Sequence, residues 1–380
     1  MKKFLLFLLA LILLTAIFFA YIAYQLIQGA NEEDITISAI ENISNLEDIV
    51  QPYIINDKTK ALSIGIYQKG SISYHNFGHI SDKEARPPNQ QSVYEIGSIT
   101  KTFTSAVLAQ MVAEGKVQLS DPISKFLPKE IINWSPDTIT ITLGELATHQ
   151  SGLPRLPSNL MFQSILNNRN PYKNYSQADL YDYLKTYTPK SKPKRKVAYS
   201  NLGMGLLGNI LADIDGVSYE ALIQKRILQP IGMNQTFIDA EGKEILLGHN
   251  GMGKPTPHWD IPALAGAGAI RSNTEDMMAY LVANITDQAP FAATHIPQAS
   301  DKEQQVGLAW WIAKSTKTDL EALWHNGGTG GFRTFMGFDK TAQIGVVVLS
   351  NTTQSVDAIG MRTLQLLERN MQQEAALFTE

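Results

Sequence analysis

Three short stretches of this 380-residue chain bring together side chains that can do covalent chemistry. The first is Ser98-Ile99-Thr100-Lys101, which opens a mostly apolar run from Phe103 to Val112 that closes at Gly115. Gly115 is a stop signal and the run reads as a helix. A helix apolar nearly all round is buried. Residues three apart share a helical face, so the Ser98 hydroxyl and the Lys101 ammonium can meet there. A serine at the positive end of a helix favours developing negative charge, and a partly desolvated lysine can serve as its proton partner. Taken alone, Ser-x-x-Lys is equally an N-cap serine followed by a surface lysine.

The second stretch, Tyr199-Ser200-Asn201, follows a basic loop and precedes an apolar helix. A tyrosine beside a cation can relay a proton, and an asparagine can hold an amide. By themselves these residues read better as a core tyrosine and a helix cap. The third, His325-Asn326-Gly327-Gly328-Thr329-Gly330-Gly331, ends one strand and begins the next. Its glycines let backbone N–H groups approach a ligand and form half of an oxyanion hole, the N–H of Ser98 supplying the other half. Alone it is equally an ordinary glycine-rich hairpin.

Two other chemistries are poorly supported. Gly203-Met204-Gly205-Leu206-Leu207-Gly208 has the spacing of a dinucleotide loop. It lacks the strand–helix alternation that such a loop needs, and close helix packing explains its small residues better. The seven histidines show no tight ligand spacing and there is no cysteine, so neither a metal nor a cofactor is expected.

The elements that must position these residues come from both ends of the chain. Ala61–Gln68 and Ser71–Gly78 alternate around Lys69-Gly70 as a hairpin. Leu308–Lys314, Leu320–His325, Phe332–Phe338 and Gln343–Ser350 read as four more strands, the last central and buried, with a closing helix over Gln354–Glu374. Between them, roughly Lys116–Pro262 is mostly helical, with candidates at Thr142–His149, Gln177–Thr186, Leu202–Ile214 and Tyr219–Ile227. The expected fold class is α/β (α+β): a mixed, mainly antiparallel sheet built from both chain ends, flanked by helices, with a helical inserted lobe and a cleft between. Leu156–Tyr175 and Thr286–Gln305 read as pocket-lining loops.

Composition bounds the function. Charged residues make up 18% and the net charge is −4, more acidic still without Lys2 and Lys3, which argues against nucleic-acid binding. Lys2-Lys3 precedes an apolar run from Phe4 to about Ile27. It is long enough to span a bilayer and lacks a good small-x-small cleavage site. The expectation is a retained signal-anchor, with cleavage as the alternative and the body outside the cytoplasm. The boundaries expected are residues 1–30 for this segment, 31–56 for a tether and 57–375 for the main domain.

Together the three motifs resemble those of the serine β-lactamase and penicillin-recognising enzyme superfamily, in the branch of class C β-lactamases, D-alanyl-D-alanine carboxypeptidases and related esterases. The likeness extends through Tyr94–Thr104, Glu114-Gly115-Lys116, Asp121-Pro122, Thr142–Pro154, Pro230–Met233 and Gly266–Gly268 with Ser272. The resemblance implies Ser98 as acylated nucleophile, Lys101 as its partner, Tyr199 as proton shuttle and Asn201 as ligand to the substrate amide. It adds His325, Gly327 and Gly328 at the substrate-binding strand and leaves His149 in a structural position. Class C enzymes carry Lys-Thr-Gly where this chain has His325-Asn326-Gly327, and a histidine is only partly charged at neutral pH. This departure argues against efficient β-lactam turnover, and the substrate expected is a D-alanyl peptide or β-lactam-like amide. The alternatives are a carboxylesterase with the same site and a catalytically silent penicillin-binding module. The partners implied are a small-molecule or cell-wall peptide substrate and the membrane.

Overall fold

A computed structural model describes residues 43–54, 60–81, 84–132, 140–160, 164, 167, 169–188, 196–301, 304–316 and 318–377. The N-terminal apolar run lies outside them. Among the described residues, no helix is long and apolar enough to cross a membrane.

Helix α1 (Leu46–Ile54) precedes the hairpin of β1 (Ala61–Gln68) and β2 (Ser71–Gly78). Its turn places Lys69 and Gly70 at φ 46° and 90°, the left-handed geometry that a two-residue hairpin needs. After β3 (Tyr94–Glu95) and a 3₁₀ turn at Gly97–Ile99 comes α2 (Thr100–Ala113). The lobe that follows contains α3 (Leu143–Ala147), α4 (Gln177–Thr186), α5 (Asn201–Asp215), α6 (Tyr219–Ile223), the small strands β4 (Gly248–His249) and β5 (Pro255–Thr256), and α7 (Ala265–Gly268). Returning to the sheet, the chain forms β6 (Arg271–Ser272), α8 (Thr274–Ile285), α9 (Phe291–Thr294), β7 (Ala299–Asp301), β8 (Gln304–Val306), β9 (Trp311–Lys314), β10 (Glu321–Gly328), β11 (Arg333–Asp339), β12 (Ile344–Ser350) and α10 (Asp357–Leu377).

The main sheet has eight strands in the order β2-β1-β12-β11-β10-β9-β8-β7, and every neighbouring pair is antiparallel. The two chain ends meet where β1 pairs with β12, and all seven residues of β12 are buried. Alternation along the strands sorts the two faces. On one, a Cβ at Gly65 or Gly345 would press on Met278 or Leu281 of α8. On the other, Phe335 packs under Gly360 of α10. Leu46, Ile49 and Val50 of α1 are buried, so part of the segment expected to be a tether packs into the domain. Thr286–Gln305, expected as a loop, instead holds α9, β7 and part of β8.

Candidate active site

Ser98 sits in the 3₁₀ turn that leads into α2, half-buried and making no N-cap bond. The turn depends on Gly97, whose φ is +52°. A Cβ there would also lie 2.5 Å from the backbone nitrogen of Gly328, so only glycine lets β10 come this close. The contact is reinforced one step away: a Cβ at Gly327 would strike the Ile96 carbonyl, to which Thr334 donates its hydroxyl at 2.9 Å. Ser98 and the exposed Gly328 thus share one edge of the cleft. The pairing of β9 with β10 ends at Trp311↔Trp324, short of His325–Gly328.

Lys101, one helical turn on, has no exposed surface. Its ammonium donates to Ser98 Oγ at 2.9 Å and to the Ala267 carbonyl at 2.6 Å. That carbonyl is held in reach by glycines of α5. A Cβ at Gly208 would meet the Gly266 Cα at 2.9 Å, and one at Gly205 would meet Leu264 at 2.5 Å. Gly205 and Gly208 of the Gly-x-Gly-x-x-Gly pattern therefore let α5 pack closely on the Leu264–Gly266 segment, while Gly203 faces Leu146 of α3.

Tyr199 stands just before α5, and the segment carrying it is stitched to the chain after α3. Ala198 N–H donates to the His149 carbonyl at 2.7 Å, and Ser200 N–H donates to His149 Nδ1 at 3.2 Å. Ser200 caps α5 by accepting from Gly203 N–H, while its own hydroxyl donates to the Pro154 carbonyl. The N–H groups of Asn201 and Leu202 both converge on the Arg155 carbonyl, at 3.0 and 3.2 Å. These bonds hold the Tyr199 ring beside Lys101, whose Nζ lies 4.8 Å from its centroid. Asn201 is half-buried, and its side-chain oxygen is buried without a hydrogen-bond partner among the described residues.

His325 is fully buried on the same face of the sheet as α8, and its ring centroid is 6.3 Å from that of Tyr199. Nδ1–H donates to the Asn326 carbonyl at 2.6 Å, which leaves Nε2 an acceptor with no partner among the described residues. Burial, and then the charge of Lys101, push its pKa down to about 3. It is therefore neutral at physiological pH. Asn326 points to the opposite face and donates to Asp357 at 2.8 Å.

Ser98, Lys101, Tyr199, His325, Gly327 and Gly328 are thus brought together, with Asn201 two residues after Tyr199. Two more residues belong to the group. His149, assigned a structural place on sequence, lies with its ring 4.5 Å from that of Tyr199, fully buried at a left-handed φ of 58°. Its pKa is well below the usual imidazole range because of burial and then the nearby charges of Lys101 and Arg155. Arg155 sets its guanidinium carbon 5.0 Å from the Tyr199 centroid. The motif around Thr148–Pro154 pointed to this stretch, but nothing in its spacing showed that it faces Tyr199.

The sequence profile of the beta-lactamase family matches residues 46–369. A beta-lactamase of Pseudomonas fluorescens is 25% identical over 345 residues, spanning 80% of this chain and 92% of the relative. The D-alanyl-D-alanine-carboxypeptidase/endopeptidase AmpH of Escherichia coli K12 is 28% identical over 293 residues, 70% of this chain and 74% of the relative. Among solved structures, a class C beta-lactamase from Rhodobacter sphaeroides superposes with a TM-score of 0.73 at 23% identity, covering 86% of this chain and 99% of that one. A beta-lactamase/D-alanine carboxypeptidase from Pseudomonas syringae gives 0.71 at 21% identity, covering 85% and 98%. With the profile matching well over half of its length, the chain belongs to the beta-lactamase family of serine hydrolases.

Proposed function

We propose that this chain hydrolyses a small acyl substrate, a D-alanyl peptide or a β-lactam-like amide, through an acyl-enzyme on Ser98. The observation that carries the reading is the position of one buried ammonium, 2.9 Å from Ser98 Oγ, 2.6 Å from the Ala267 carbonyl and 4.8 Å from the Tyr199 ring. The Lys101–Tyr199 pair takes the Ser98 proton as the oxygen attacks the substrate carbonyl. The N–H groups of Ser98 and Gly328 meet the oxyanion that forms. Tyr199 returns the proton to the leaving nitrogen or oxygen, the C–N or C–O bond breaks, and water releases the acyl group. Asn201 holds the acyl amide, and His325, Gly327 and Gly328 line the strand against which the substrate lies.

A carboxylesterase is the second reading, and neutral His325 favours it, because an ester makes no demand for a cation at that position. One purified sample assayed with a D-Ala-D-Ala peptide, nitrocefin and p-nitrophenyl esters separates the two. Turnover of the peptide or nitrocefin supports amide hydrolysis, whereas ester turnover alone makes the esterase reading correct. The Lys2-Lys3 pair and the apolar run after it support a catalytic part outside the cytoplasm. Recovery of the full chain in the cytosolic fraction would remove that placement.

A further inference from the structure

Arg155 presents an unusual charge beside Tyr199. Its side chain is exposed, and its guanidinium makes no hydrogen bond or ion pair among the described residues. Its contact there is with the ring of Tyr199, at 5.0 Å. The other cations near this ring are not available to a ligand. Lys101 is buried and already donates to Ser98 and Ala267. His149 and His325 are buried and held neutral. A guanidinium held against an aromatic ring without hydrogen bonds has its N–H donors free, and their fork matches the two oxygens of a carboxylate.

The backbone fixes where this fork stands. The Arg155 carbonyl receives the N–H groups of both Asn201 and Leu202, so the residue is tied to the first turn of α5 beside the Asn201 amide. From these observations we infer that Arg155 is a specificity-determining residue that binds a carboxylate on the acyl side of the substrate. This rests on the Ser98 reading above and narrows its substrate class to anionic acyl groups, such as a peptide with an acidic side chain or an acyl chain ending in a carboxylate.

Three esters test it on the purified enzyme: p-nitrophenyl butyrate, the p-nitrophenyl half-ester of glutarate, and m-carboxyphenyl butyrate. They carry respectively no carboxylate, one on the acyl side, and one on the leaving group. Arg155→Ala should lower kcat/KM for the glutarate half-ester by roughly tenfold or more, mainly through KM, and leave the other two within about twofold. Arg155→Lys should recover part of the loss, and added salt should erode the advantage of the anionic ester. The backbone anchors remain in both variants, and an exposed side chain is not needed for folding. An equal loss on all three esters would mean that Arg155 acts through Tyr199 and would overturn the proposal. So would a loss confined to m-carboxyphenyl butyrate, or no loss at all. Ser98→Ala keeps the two levels apart: if it still turns over these esters, the acyl-enzyme reading fails; if it is inactive while Arg155→Ala is blind to charge, only the carboxylate site falls.

Discussion

A lysine with no exposed surface has lost most of its hydration, and Lys101 replaces it with two short bonds to neutral oxygens, Ser98 Oγ and the Ala267 carbonyl. That arrangement ties its charge to the Ser98 hydroxyl, and Tyr199 lies against it. Tyr199→Phe keeps the ring and its contacts with His149 and Arg155 while deleting the hydroxyl. Turnover number on an ester should fall by roughly 10²- to 10⁴-fold with a much smaller change in KM, as measured by steady-state kinetics. A fall below threefold would remove Tyr199 from the proton path. His325 makes a prediction about acid stability. Its pKa is pushed down to about 3 in the fold, while the unfolded chain titrates near 6.5. Between these values the unfolded state binds a proton that the native state refuses, so stability falls as pH drops through this window. The loss is at most about 1.4 kcal/mol per pH unit for one group. Urea unfolding at stepped pH should give a shallower decline for His325→Gln than for the native chain; parallel curves would contradict the buried, neutral imidazole.

At the scale of elements, the site depends on backbones that approach each other where no side chain intervenes. Gly97→Ala puts a methyl at a left-handed φ of 52° and 2.5 Å from Gly328 N, so β10 must retreat from the nucleophile turn. The expected result is destabilisation of about 1–3 kcal/mol and a disproportionate loss of acylation rate, read by thermal unfolding and single-turnover labelling. Gly208→Val should act from farther off, pushing α7 and the Ala267 carbonyl away from Lys101. Much of this layer was legible in the sequence. The hairpin at Lys69-Gly70, the helix Gln177–Thr186 and the buried β12 follow from turn chemistry and periodicity. The short strands β7 and β8 were not legible, because three residues carry no period and their pairing is decided by the sheet edge that they join. The same holds for α8, whose buried face alternates Met, Tyr and Leu with polar residues that find partners only in the folded chain, as Asp276 does with Thr236 and Gln235.

Across the whole molecule, a sheet closed from both chain ends and a helical lobe between them bring residues 98, 199 and 325 to one cleft. Order and type of the motifs made that convergence readable, since each motif alone had an ordinary structural explanation. What the sequence could not give was the neighbourhood of Tyr199. His149 and Arg155 reach it through a set of backbone bonds between residues 149–155 and 198–202 that no spacing rule encodes. The central claim, that Ser98 is the atom on which the substrate is carried, is open to one direct measurement. The purified chain and its Ser98→Ala variant are incubated with a fluorophosphonate and with a fluorescent penicillin, and adducts are located by peptide mass mapping. The account predicts one adduct per native chain, on the peptide containing Ser98, and none on the variant. Equal labelling of the two proteins, or an adduct on another residue, would contradict it.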